Sequence, residues 1–353
     1  MQKVLLNMTL ACFAICLCAC SSDVVRESSE FLKQEDALPW FSRCRIYDIN
    51  GQEAVLLPTD YGFATIDTET KKVDTIYDKL YAGISEFCYN SDDETIWAQL
   101  ENRNLNIWNS KTCTEIPCPP TKHQGEFVKW FGFGAYDPFF SFGNILYTGI
   151  NPSSDSDVNF ADFRAKSGLI AAWDISNPDS VRCVKIFGKR PSDQPKDMFI
   201  DDCYQTAFNV EDSIIVAGTE LSQNVVVMTM SGKTLKEKEL TSKFYVKPQK
   251  KDFSQNHSAK DKMQYWEENM LFRGLFYDKY RKLYYRILQL PKQEDKSSFT
   301  KRKQDWVLIV ADSKLNKKYE LKFDGDKYRW AILIGKQGVY VLKDKTMDLF
   351  VFD

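Results

Sequence analysis

Residues with the chemistry for catalysis or metal binding are few in this chain. It contains two histidines, His123 and His257, so an imidazole zinc site or a Ser-His-Asp triad would have to use one of them. His123 follows Pro119, Pro120, Thr121 and Lys122, and His257 lies among Ser254, Gln255, Asn256 and Ser258, settings that read as solvated loop. Asp155, Asp157 and Asn159, with Asp162 close behind, alternate hard oxygen ligands as a calcium loop does. Phe160 stands where an EF-hand needs glycine and Lys166 where it needs a bidentate glutamate, so a solvated acidic loop is the plainer reading. Calcium is the one cofactor the sequence offers. Asp201 and Asp202 are adjacent and on a strand would point to opposite faces, which spoils them as an acid and base pair. The densest aromatic cluster is Trp130, Phe131, Phe133 and Tyr136, with Gly132 and Gly134 between them to turn the backbone. Rigid rings of this kind make a stacking platform for a sugar or a peptide. The simpler and favoured reading makes Phe139, Phe140 and Phe142 core residues of the third blade and Trp130 a cap on the ring. No catalytic residue emerges.

The elements that would carry these residues are short strands in a recurring unit. Its clearest copy ends one strand on Trp173-Asp174, turns through Ser176, Asn177, Pro178 and Asp179, and returns through Val181, Cys183 and Lys185. Looser copies end near Asp67, Asn109, Ser231, Asp312 and Asp353. Grouped in fours, the strands fall at 43–48, 54–57, 62–67 and 73–77, then 84–89, 95–99, 105–109 and 113–116, then 139–142, 145–149, 169–174 and 181–187. Further on they fall at 204–209, 213–218, 224–230 and 235–240, then 271–277, 282–288, 306–311 and 318–323, and last at 330–334, 338–342 and 348–352. Intervals of 42 and 41 residues between turn anchors match the roughly 40 to 50 of one propeller blade. Longer intervals need insertions, at residues 117–137, 151–166, 241–269 and 291–305, gathered at the end of the ring where propellers bind. The third insertion is basic and polar and reads as a surface loop. The expected fold is all-β, a six-bladed propeller with four-stranded antiparallel blades. Its last group lacks a strand, which a segment between Val24 and Lys33 would supply, removing two exposed edges. A pair of immunoglobulin-like sandwiches is disfavoured by the grouping in fours.

The amino terminus carries a short basic start and an apolar run over residues 4–17, of signal-peptide length and too short to span a bilayer. It ends in Leu17-Cys18-Ala19-Cys20, where Leu17 three places before and small Ala19 just before make Cys20 the residue lipidated after cleavage. The expected organisation is a lipoprotein signal peptide at 1–19, a tether at 20–30 and a single β-propeller domain at 31–353. No later stretch reaches eighteen apolar residues, so the lipid alone would hold the domain to a membrane. Six further cysteines remain after maturation; small buried thiols are favoured over disulfides, and no C-x-x-C is present. With 47 basic and 49 acidic residues spread throughout, nothing points to nucleic acid.

The Leu17-Cys18-Ala19-Cys20 box, the strand ends like Trp173-Asp174 and the four insertions together resemble the uncharacterised six-bladed propeller lipoproteins of Bacteroidota, a domain of unknown function. Trp-Asp occurs once and Gly-His is absent, so the chain does not resemble a true WD-repeat protein. The resemblance implies an exported, lipid-anchored protein of the outer membrane. The expected role is a binding or scaffold module for an envelope protein, peptide or glycan. The competing expectation is an extracellular enzyme on glycans or peptides, using carboxylates such as Asp155, Asp157, Asp201 or Asp202 at the channel mouth.

Overall fold

A computed structural model describes residues 24–29, 44–49, 51–59, 62–70, 72–77, 84–100, 105–108, 113–116, 122–123, 126–127, 139–149, 168–194, 204–249, 259–292, 304–343 and 346–352. Its described residues form six four-stranded antiparallel sheets. Strand β1 (Val24–Ser29) stands apart in sequence from its sheet, and the first blade follows as β2 (Arg45–Ile49), β3 (Gln52–Thr59), β4 (Gly62–Asp67) and β5 (Val73–Tyr77). The second blade is β6 (Ile84–Asn90), β7 (Thr95–Leu100), β8 (Leu105–Trp108) and β9 (Cys113–Ile116). A two-residue hairpin, β10 (Lys122–His123) with β11 (Glu126–Phe127), precedes the third blade. That blade is β12 (Phe139–Phe142), β13 (Ile145–Gly149), β14 (Ile170–Asp174) and β15 (Arg182–Phe187). The fourth is β16 (Tyr204–Asn209), β17 (Ile214–Thr219), β18 (Asn224–Thr229) and β19 (Thr234–Glu239). Helix α1 (Ala259–Glu268) leads to β20 (Leu271–Asp278), β21 (Leu283–Gln289), β22 (Trp306–Ala311) and β23 (Lys317–Phe323). The sixth blade is β24 (Ile332–Ile334), β25 (Val339–Lys343) and β26 (Thr346–Phe352), completed on its outer side by β1.

That completion closes the ring. Val24 pairs with Phe352 and Ser29 with Met347, so the earliest described strand holds the last in an antiparallel ladder. The segment expected to supply the missing strand does so, and residues 24–29, also assigned to the tether, belong to the sixth blade. The first strand of each blade lines the centre, as shown by β16 against β20, β6 against β12 and β2 against β24.

Packing explains the sequence pattern. Six apolar clusters each join one pair of neighbouring blades, from Leu56, Phe63 and Trp108 between the first and second to Val55, Leu333 and Leu349 between the sixth and first. The second and third strands of a blade are covered on both faces, so β21 and β22 are buried throughout and read as unbroken apolar runs. The outermost strands face water on one side, and β19 is accordingly Thr-Leu-Lys-Glu-Lys-Glu. Four tryptophans, Trp97, Trp108, Trp173 and Trp306, are among the largest fully buried side chains. The Trp173 indole N–H donates to Thr148 Oγ1 at 2.9 Å, which satisfies its polar atom inside the core.

The recurrent aspartates are turn formers. Asp174 Oδ1 accepts from the Ser176 backbone and hydroxyl, Asp67 Oδ1 from the backbones of Glu69 and Thr70, and Asp312 Oδ1 from those of Lys314 and Asn316. Hydrogen bonds from Ser176, then from Arg182, hold the Asp174 carboxyl below its ordinary range.

The connections sort by end of the ring. In an antiparallel blade, those between its first and second strands and between its third and fourth leave one end, and the rest leave the other. Connections at the first end run two to seven residues. All four insertions fall at the second end, either between a second and third strand or between one blade and the next.

Candidate functional site

Helix α1 corrects one expectation, since the third insertion is not all loop. Its residues favour helix; Tyr265 anchors it against Leu221 and Leu271, half-buried Trp266 packs on the same cluster, and Met263 faces water. Two adjacent anchors in ten residues make no i, i+3, i+4 stripe to read. The Tyr265 hydroxyl donates to the Gln249 carbonyl at 2.9 Å, and Asn269 Nδ2 donates to the Tyr265 carbonyl at 2.9 Å, closing the carboxyl end of the helix. Gln304 Nε2, from the fourth insertion, reaches the carbonyls of Trp266 and Glu267. Two insertions are thereby stitched together over the fifth blade.

Beneath them, at the long-connection end, lies a compact polar group. Arg273 is the extra residue of a β-bulge, where the β20–β21 register shifts between Phe272 and Gly274. A bulge re-aims its side chain. The guanidinium pairs with Glu220, which follows β17, and its Nε donates to Gln289 Oε1 at 2.8 Å. The carboxylate is 2% exposed and the guanidinium side chain 11%. Both are withdrawn from bulk water, where such a pair is strong only if its remaining valences are met. The Trp266 ring lies 5.4 Å from the Arg273 guanidinium and the Trp330 ring 5.5 Å from it, so the cation is flanked by two indoles. Gln289 Nε2 in turn donates to the Trp266 carbonyl at 2.7 Å, tying helix to strand. The product is a neutral, rigid polar floor between two half-buried aromatic walls, each from a different blade connection.

Three blades away, β6 also bulges near its start, with Ser85 as the extra residue. Its ladder with β7 shifts between Ile84 and Glu86, and Glu86 lies 3.8 Å from Arg45 on β2.

Sequence reading missed this group. Arg273 breaks the run Leu271, Phe272, Gly274, Leu275, Phe276, and Glu220 follows the apolar β17; charged residues inside such runs were the available signal. Of the residues it did single out, Trp130, Phe131, Phe133, Tyr136, Asp155, Asp157, Asn159, Asp162, Asp201, Asp202, His257 and Cys20 lie outside the described residues. His123 falls on β10. The core assignment of three phenylalanines holds for two. Phe140 stacks on Phe208 at 4.4 Å and Phe139 packs on the cluster between the second and third blades, whereas Phe142 is 45% exposed at a turn. Cys44 and Cys88 are buried free thiols, pushed up to about 12 by burial. Among the described residues no cluster of three or more histidine, cysteine, aspartate or glutamate side chains is placed to hold a metal, and no helix is long and apolar enough to cross a membrane.

Comparison with known proteins bears on this architecture. Residues 120–321, more than half of the chain, match the model of a domain of unknown function, DUF4221. A crystal structure of a member of that family from Bacteroides vulgatus is similar over 94% of this chain and 98% of that one, with a TM-score of 0.72 at 17% identity. A gluconolactonase from Xanthomonas campestris is similar over 90% of this chain and 88% of that one at 8% identity, and its TM-score of 0.48 is too low to bear on this protein. No functionally curated protein matches the sequence. The expected six-bladed propeller and the expected kinship with a Bacteroidota domain of unknown function both hold, and the chain belongs to the DUF4221 family.

Proposed function

We propose that this protein is a lipid-anchored binding or scaffold module of the cell envelope, fixed through Cys20, that takes up an envelope protein, peptide or glycan at the long-connection end of its ring. The observation that carries the reading is the gathering of all four insertions at that end, over a rim where Trp266 and Trp330 flank the Glu220–Arg273 pair. A ring of six two-sided blades is a rigid scaffold, and variation without loss of fold is possible only in its connections. Flat indole faces beside hydrogen-bonding groups suit a sugar ring or the side chains of an extended peptide. The aromatic cluster at Trp130, Phe131, Phe133 and Tyr136 belongs by sequence to an insertion of the same end and would extend the surface. Calcium held by Asp155, Asp157, Asn159 and Asp162 would stiffen another.

The test is a thermal-shift series on a soluble form in which Cys20 is replaced by serine, against defined oligosaccharides, peptides and calcium. A binder is expected to raise the melting temperature in the parent. In Trp266→Ala and in Trp330→Ala the shift should vanish, because removing a stacked ring costs about 1–3 kcal/mol of binding. A shift that persists in both variants would sink the proposed site. Circular dichroism of the unliganded variants checks that the ring is intact.

A further inference from the structure

The direction of β1 decides which end of the ring the anchor leaves from. Strand β26 starts at the long-connection end, where β25 hands over to it, and finishes at the short-turn end on Phe352. Val24 pairs with Phe352, so the chain preceding β1 departs from the short-turn end. Only residues 21–23 separate Val24 from Cys20. Four Cα steps of ~3.3–3.6 Å span no more than ~14 Å.

We propose that the short-turn end is the face apposed to the lipid bilayer, which leaves the long-connection end turned away from it. The inference rests on the reading of Cys20 as the lipidated residue. Exposed lysines stand on four blades of the short-turn end: Lys72 on the first, Lys233 on the fourth, Lys279, Lys282 and Lys314 on the fifth, and Lys336 on the sixth. Carboxylates temper three of them, with Asp74 3.0 Å from Lys72, Glu211 3.8 Å from Lys282 and Asp48 3.8 Å from Lys336. Exposed carboxylates share that end: Glu69 on the first blade, Asp92, Asp93 and Glu94 on the second, Asp179 on the third, and Glu211 and Asp212 on the fourth. With both signs present at that end, the short reach from Cys20 to Val24 is what sets the orientation and brings the anchored edge closest to the membrane.

The experiment uses the full chain, processed in a bacterial host and reconstituted in vesicles of phosphatidylethanolamine and phosphatidylglycerol that carry a headgroup nitroxide. An azide-bearing residue replaces Gln337 at the short-turn end or Met263 on α1, and each is coupled to the same fluorophore; both positions are exposed. Quenching should be about two-fold or more stronger at position 337, which stands roughly one strand length, ~20 Å, nearer the lipid. A flexible Gly/Ser spacer of about 20 residues between Asp23 and Val24 should erase the difference. Stronger quenching at 263, or equal quenching as a ring lying on its side would give, overturns the orientation. Intact mass separates the two levels of failure. A chain without acyl mass that does not float with vesicles overturns the lipidation reading and the orientation with it, whereas an acylated chain with the wrong quenching order overturns the orientation alone.

Discussion

Arg286 shows how one buried charge can join two blades. It is 0% exposed on β21, yet its guanidinium donates to four backbone carbonyls of the fourth blade, those of Gln223 at 2.9 Å, Leu240 at 2.7 Å, Ser222 at 2.8 Å and Thr219 at 3.3 Å. Phe272 covers its face at 3.5 Å. Burial brings its pKa down to about 9, so it stays protonated at neutral pH. Gly218 makes the room, because a Cβ there would lie 3.0 Å from the Arg286 Nη2. Arg286→Met keeps the packing but strips the carbonyls of their donors, and should lower unfolding free energy by about 3 kcal/mol or more. Urea melts that show less than about 1 kcal/mol would mean that water replaces the guanidinium there. Arg286 was not legible in the sequence. A lone arginine in Leu283, Tyr284, Tyr285, Ile287 and Leu288 looks like the polar face of a strand, and its partners lie more than 40 residues away in the chain.

At the scale of the element, three blades share a turn that the sequence conceals. Asn90, Asn209 and Asp278 end the first strands of their blades and accept from the backbones of Asp92, Asp212 and Tyr280. Four positions on, Glu94, Ser213 and Lys282 adopt positive φ of 55°, 54° and 55° just before the second strand. Glycine is the usual residue in that region, and none of the three is glycine, so composition did not reveal the repeat. Ser213→Gly should leave stability within about 0.5 kcal/mol, because relief of the left-handed strain offsets the added freedom of the unfolded chain. Ser213→Val should cost about 1–2 kcal/mol, since a β-branched residue resists positive φ. Equal denaturation midpoints for the two variants would remove the turn from this account. The strands themselves were legible because each interior one is a short apolar run bounded by turn residues. Helix α1 was not, because the adjacent rings of Tyr265 and Trp266 pack it in place of a spaced apolar stripe.

At the scale of the whole molecule, closure and polarity arise together. The β1–β26 ladder ties the first described strand to the last, and the same pairing sets which end of the ring the anchor leaves from. Short turns at one end and insertions at the other give the ring a plain face and a variable one. The ring and its closing strand were legible because four-strand grouping and a three-strand remainder are properties of order along the chain. The Glu220–Arg273 group was not, since it is assembled from five connections, helix and strands that meet only after the blades are in place. The most direct measurement of the account compares photo-cross-linking from a photoreactive residue at Met263 with that from one at Gln337, in native envelopes. Binding at the variable face predicts a discrete partner adduct, protein or glycan, from position 263 and none of that adduct from position 337. The same adduct from position 337, at equal or greater yield, would contradict it.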